Sequence, residues 1–311
     1  MAIIPGIYAS QISGHLISLA AYFAGGLDSG GNIAGIDKIA FSGDTKSTLA
    51  ATLSTGRYHL AGAANSGTAA YFAGGYDSGG NIAGIDKIAF SGDTKSTLAA
   101  TLSTARAGQA GAANSGTAAY FAGGFDTANI SGIDKIAFSA DTKSTLAATL
   151  STARTNLAGA ANSGTAAYFA GGIDTANISG IDKIAFSGDT KSTLAATLTT
   201  ARYAPAGAAN SGTAAYFAGG YDSGGNIAGI DKIAFSGDTK STLAATLSTA
   251  RTNLAGAANS GTAAYFAGGQ DTAKIAGIDK IAFSGDTKST LAATLSTARQ
   301  VLAGAANSGV I

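Results

Sequence analysis

Six near-copies of one phrase, YFAGG…GIDKIAFSGDTKSTLAATLSTAR…AGAANSG, fill this chain and begin at Tyr22, Tyr71, Tyr120, Tyr168, Tyr216 and Tyr265. The starts are 49 or 48 residues apart. A unit of this length cannot bury its apolar face alone and must stack on its neighbours. The chain is therefore a closed ring of blades or a stacked solenoid, and the solenoid would leave unpaired ends without atypical caps.

The second copy shows what one unit is made of. Ala69 to Ala73, centred on Tyr71 and Phe72, is an apolar run stopped by Gly74-Gly75, as expected of a strand buried on both faces. Ile85 to Phe90 reads as a second strand, with Asp86, Ile88 and Phe90 on one side and Ile85, Lys87 and Ala89 on the other. Ser91 to Lys95 has turn chemistry. Thr97 to Leu102 then places Leu98, Ala100 and Leu102 on one face as a third strand, and Ala110 to Ala113 is a fourth, closing on Asn114-Ser115-Gly116. A helix over STLAATLSTAR is the rival reading, because Leu98 and Leu102 are four apart and alanine favours helix. Three Thr, two Ser and no Glu in those eleven residues argue for a strand.

This order of a Gly-Gly after an aromatic strand, a second strand ending on an aromatic residue, a DTKST turn and a segment closing on Ala-Arg resembles the kelch repeat. The resemblance covers residues 22 to 309 and departs from the pattern where the usual Trp is replaced by Leu, as at Leu49 and Leu98. It implies an all-β fold, a six-bladed β-propeller of four-stranded kelch-like blades. The phrase and composition are also similar to kelch-like repeat proteins of bacteriophage particles. That likeness implies a virion component, such as a tail appendage or surface-decorating protein engaged in host attachment. A cytoplasmic kelch-like adaptor or lectin is the alternative.

The two ends are out of phase with the blade. No AGAANSG precedes Tyr22, while residues 302–309 supply one with no YFAGG behind it. The C-terminal segment is expected to form the innermost strand of the first blade, pairing the terminal strands and removing an open edge. Residues 19–311 then form the propeller and residues 1–18 an N-terminal arm outside the repeat, a candidate contact for other virion or scaffold proteins.

Charge divides almost evenly among the copies. There is no Glu; each repeat holds three Asp, two Lys and one Arg, and Lys274 alone accounts for the net +1. Nonspecific nucleic-acid binding needs clustered Lys and Arg, so nucleic acid is not expected as a partner. Each blade also offers about seven large apolar side chains worth roughly 1.5–3 kcal/mol each when buried. Exposed ion pairs contribute about 0–1 kcal/mol, so packing is expected to hold the ring and the charges chiefly to solvate it. Cysteine is absent and histidine occurs only at His15 and His59, which excludes disulfides and any Cys/His metal cluster. No stretch reads as a secretory signal or a membrane span, and no membrane insertion is expected.

Function should sit where the copies differ. After Gly-Gly stand Leu27, Tyr76, Phe125, Ile173, Tyr221 or Gln270; after Arg stand Tyr58-His59, Ala107-Gly108-Gln109, Thr155-Asn156, Tyr203-Ala204-Pro205, Thr252-Asn253 or Gln300-Val301. In a four-stranded blade both sets of loops fall on the same side of the ring, and the opposite turns are nearly verbatim copies. Either the variable loops drift because nothing packs on them, or they form a ligand-binding face. In the second case Tyr58, Tyr76, Phe125, Tyr203 and Tyr221 would be apolar platforms, and His59, Gln109, Asn156, Asn253, Gln270 and Gln300 polar groups, suited to a host-surface glycan or protein.

No cofactor and no metal are expected. Loops such as Asp77 to Asn81 offer calcium only one carboxylate and one amide, and ordinary Asx turns account for them. An enzyme is not expected either. A catalytic set normally places different residues in distinct roles, whereas Arg57, Arg106, Arg154, Arg202, Arg251 and Arg299 repeat with their Asp partners six times. His59 has no second catalytic group nearby in sequence.

Overall fold

The computed structural model describes residues 19–308; the N-terminal arm expected over residues 1–18 lies outside the described residues. Six four-stranded antiparallel sheets follow one another around a ring, and among the described residues there is no helix. In the third blade the order from axis to rim is Ala110–Asn114, Ala118–Ala122, Ile133–Ala137 and Thr142–Thr145. The inner strands of successive blades contact one another in a closed circuit, which makes the ring a six-bladed β-propeller.

Closure occurs where the sequence places it. Ala303–Asn307 is the innermost strand of blade 1 and pairs antiparallel with Ala20–Ala24, setting Tyr22 opposite Ala305. The first blade is thus built from both ends of the described chain.

The outer strand departs from expectation. It spans Thr94–Thr97, three residues before the predicted Thr97 to Leu102. Asp93 takes a φ of 51°, which tightens the turn so that pairing with Ile85–Ala89 begins at once, Thr94 opposite Ala89. The Leu-Ala segment is neither helix nor strand. It folds back along the blade, with the Leu98 N–H donating to Ile85 O and the Leu102 N–H to Ala83 O, both at 2.9 Å. Both leucines remain buried against Tyr71 and Ile85.

The AAYFA strand, next to the innermost in every blade, is buried throughout. Alternation sends its Tyr toward the next blade and its Phe toward the previous one. Tyr22 packs with Phe72, Ile88 and Phe90 of blade 2, its ring 5.0 Å from that of Phe90. The same contact recurs at the seam, where Tyr265 lies 5.1 Å from Phe41. The inner strands meet wall to wall at their central glycine. A Cβ on Gly159 would lie 2.3 Å from Gly111 O, and the equivalent glycines repeat the approach around the ring.

The charges do more than solvate. Arg57, on the linker from blade 1, is 2 % exposed, and its Nη2 donates to Phe72 O at 3.0 Å and to Asp86 Oδ2 at 3.1 Å inside blade 2. Asp86 also accepts the Ser54 backbone N–H and the Ser54 and Thr97 hydroxyls. Burial opposes its ionisation, but these hydrogen bonds and Arg57 outweigh that and hold it below the usual carboxylate range. A further Asp bridges neighbouring blades at the turn: Tyr22 Oη and Lys38 Nζ donate to Asp93 at 2.7 and 2.8 Å. Each linker therefore clamps the blade that it enters, and two of the three Asp of each copy join blades. The expected solvating role fits the rim, not these buried pairs.

Candidate recognition face

The variable loops gather on one side of the ring, with a backbone device at their centre. The second residue after each Arg has a positive φ: His59 55°, Gly108 69°, Asn156 53°, Ala204 50°, Asn253 59° and Val301 52°. Each donates its N–H to the carbonyl of the previous member: His59 to Val301, Gly108 to His59, Asn156 to Gly108, Ala204 to Asn156, Asn253 to Ala204, and Val301 to Asn253. Six hydrogen bonds of 2.7 to 3.2 Å make a closed circle around the axis. It surrounds a cavity of about 80 Å³. Sequence reading missed this ring, although two Asn, a Gly and a His at one repeat position are the residues that favour left-handed backbone.

On the opposite side the near-verbatim turns interlock. The Ser66 N–H donates to Ser115 Oγ, the Ser115 N–H to Ser163 Oγ, and the series continues through Ser211 and Ser260. Asn65 Oδ1 accepts the Gly116 N–H at 2.9 Å, and Asn114, Asn162 and Asn210 act likewise. These residue types recur because each bonds the next blade.

The predicted face residues fall into groups. Tyr58, His59, Tyr76, Phe125 and Asn156 come together around a cavity of about 330 Å³ on blades 2 and 3, with Asn81, Ala107, Gly108, Asp126 and Thr155 also in its wall. Tyr58 and Tyr76 sit opposite each other in a cross-strand bridge, their rings 5.6 Å apart. Tyr76 and Phe125 are 41 % and 44 % exposed, unusual for such large apolar groups. Asn81 Nδ2 donates to Asp126 Oδ1 at 3.2 Å, tying the two blades across the cavity. Asp126 is the sole formally charged residue of the lining.

The remaining residues lie elsewhere. The Tyr203 and Tyr221 rings pack in a tilted arrangement, 5.5 Å apart, in blade 5, and burial followed by the proximity of Tyr221 raises the Tyr203 pKa. Gln270 bridges Thr252, and Gln300 bridges Leu27 while its Oε1 accepts from Asn253 Nδ2 at 3.2 Å. Gln109, expected as a hydrogen-bonding group of the face, is only 5 % exposed and donates from Nε2 to Ala73 O at 2.7 Å. It replaces the leucine found at Leu60, Leu157, Leu254 and Leu302. His59 borders both cavities, and burial lowers its pKa to about 4, so it is neutral at pH 7.

The loops weighed as calcium ligands close on themselves. Asp28, Asp77 and Asp222 each accept through Oδ1 the N–H two residues on, at 2.7 Å. Among the described residues no group of three or more His, Cys, Asp or Glu side chains is placed to hold a metal ion.

No family model and no curated protein matches the chain. Among solved structures, one described as "Structure of YjhT" superposes with a TM-score of 0.67, covering 90 % of this chain and 99 % of that one at 13 % identity. At that identity the likeness shows the propeller fold alone.

Proposed function

We propose that this protein is a non-enzymatic binding module of a phage particle that recognises a host-surface glycan through its variable face. The observation that carries the reading is the 330 Å³ cavity between Tyr76 and Phe125, two exposed rings held over a rigid ring of blades. Aromatic faces take the C–H side of a sugar, and the amides of Asn81 and Asn156 and the Thr155 hydroxyl are of a kind to bond its hydroxyls. The resemblance of the repeated phrase to proteins of phage particles supports the setting. The sixfold use of Arg and Asp as blade clamps supports a binding role over a catalytic one.

Fluorescently labelled protein applied to an array of bacterial surface polysaccharides tests this. Binding to a subset that falls at least tenfold in the Tyr76→Ala, Phe125→Ala double variant, with unchanged melting temperature, is the expected result. An array on which the parent protein binds nothing overturns the reading.

A further inference from the structure

Blades 2 and 5 are alike in a way the other blades are not. Tyr58, Tyr76, Asn81 and Asp126 recur 145 positions later as Tyr203, Tyr221, Asn226 and Asp271. Only these two blades have Tyr at both bridged positions; elsewhere the pairs are Gln300 with Leu27, Ala107 with Phe125, Thr155 with Ile173 and Thr252 with Gln270. The geometry is repeated too. The paired rings are 5.6 and 5.5 Å apart, the outer rings of Tyr76 and Tyr221 are 41 % and 39 % exposed, and Asn81 and Asn226 each donate to the Asp of the next blade at 3.2 Å. Asn226 Oδ1 is buried with no protein partner, a free acceptor beside the second pair.

Resting on the glycan-binding reading, we propose that the face is bivalent: blade 5 carries a second platform, half a ring from the first, and each platform takes a sugar ring, the first a neutral one. The inner strands contact one another in the order of the blades, so blades 2 and 5 are three steps apart and opposite. At each platform the inner Tyr supports the outer one, which costs little further ordering when a ligand stacks on it. Neutrality follows from charge. At the first platform an acidic sugar would meet Asp126 with no Lys or Arg in the lining of the cavity to compensate, whereas beside Asp271 Lys274 stands in the same loop, bridged to Gln270. Two weak sites on one rigid face give a multivalent surface an apparent affinity about 10²–10⁴ above that of either alone.

Protein with isotope-labelled tyrosine, titrated with methyl β-D-galactopyranoside, reads both sites. The Tyr76 and Tyr221 ring signals are assigned by their disappearance in Tyr76→Ala and Tyr221→Ala. Saturable shifts of both, each surviving loss of the other, are expected. Shifts at Tyr76 alone overturn bivalency and leave the glycan reading standing; shifts at neither overturn both. The matching uronate, methyl β-D-galactopyranosiduronate, should bind at least tenfold more weakly at the Tyr76 site, and equal binding there overturns the preference for a neutral sugar.

Discussion

Arg299 and Asp37 meet at 3.1 Å across the seam where the two ends of the described chain join, and both are at most 1 % exposed. The same guanidinium donates to Phe23 O at 2.9 Å, so one side chain fastens the last linker to the first blade. Removing one partner of a buried pair leaves the other charge uncompensated, at a cost of about 3–5 kcal/mol. Arg299→Ala should lose that much in urea denaturation. Lys46→Ala, removing a partly exposed partner of Asp37 at 3.7 Å, should lose less than about 1 kcal/mol. Equal losses would mean that the charges act only at the surface.

Gly159 has no room for a methyl group. Its added Cβ would press on the Gly111 carbonyl at 2.3 Å, and a backbone atom in a closed ring cannot step aside as a flexible side chain does. Gly159→Ala is expected to destabilise by at least about 1–3 kcal/mol, the range for overpacking. Gly164 provides the control, since its φ is 80° and nothing lies within 4 Å of its added Cβ. Gly164→Ala should cost only about 1 kcal/mol, for its left-handed backbone. Thermal melts of the two variants should separate clearly, and a silent Gly159→Ala would show that the inner strands can move apart.

What was legible in the sequence was whatever repeats locally. The aromatic strand, the IDKIA strand and the displaced AGAAN segment each contain their own stop signals, so three strands of every blade and the closing pair could be placed from the residues alone. The outer strand was misplaced by three residues because Asp93 adopts a left-handed conformation that a DTKS string does not announce, and Leu98, Ala100 and Leu102 at period two imitate a strand. The buried Arg was unreadable for a different reason. Its partners, Phe72 O and Asp86 for Arg57, lie 15 and 29 residues away across a blade boundary, and only packing reveals that the guanidinium is dry. For the face, comparing copies picked out Tyr58, Tyr76 and Phe125 together, but gave no sign that Gln109 turns inward.

Val301 is the least suitable occupant of the axial ring. It holds φ at 52° while hydrogen-bonded to Asn253 and His59, and a left-handed β-branched residue is strained by about 1–2 kcal/mol. Asn fills the same position at Asn156 and Asn253. Val301 is buried, so the relief of about 1–2 kcal/mol of strain is set against the lost burial of a valine, about 1.5–3 kcal/mol when complete, and Val301→Asn is expected to change stability by less than about 1 kcal/mol. Asn156 is only half-buried, so Asn156→Val takes on the strain with less burial to oppose it and should lower stability by about 1 kcal/mol. Denaturation midpoints check both, and a Val301→Asn that loses more than about 1 kcal/mol would show that burial outweighs backbone strain here.

His59 makes the ring sensitive to acid. Burial lowers its pKa from 6.5 to about 4, so the folded chain keeps it neutral where the unfolded chain already binds a proton. Below pH 6.5 the unfolded state carries the extra proton, and stability falls with falling pH until the folded state also protonates near pH 4, where the effect levels off. The slope cannot exceed about 1.4 kcal/mol per pH unit. Because the imidazole borders two open cavities, solvent reduces the total to about 1–2 kcal/mol. His59→Asn suits the positive φ and removes the titrating group, so the variant should follow the parent above pH 7 within about 1 kcal/mol and exceed it progressively toward pH 4. Urea denaturation of the two proteins at about pH 7.5, above the linkage window, and at about pH 5.5 and 4.5, within it, measures the difference. A difference that stays constant with pH would mean that His59 titrates in the folded ring as it does in the unfolded chain.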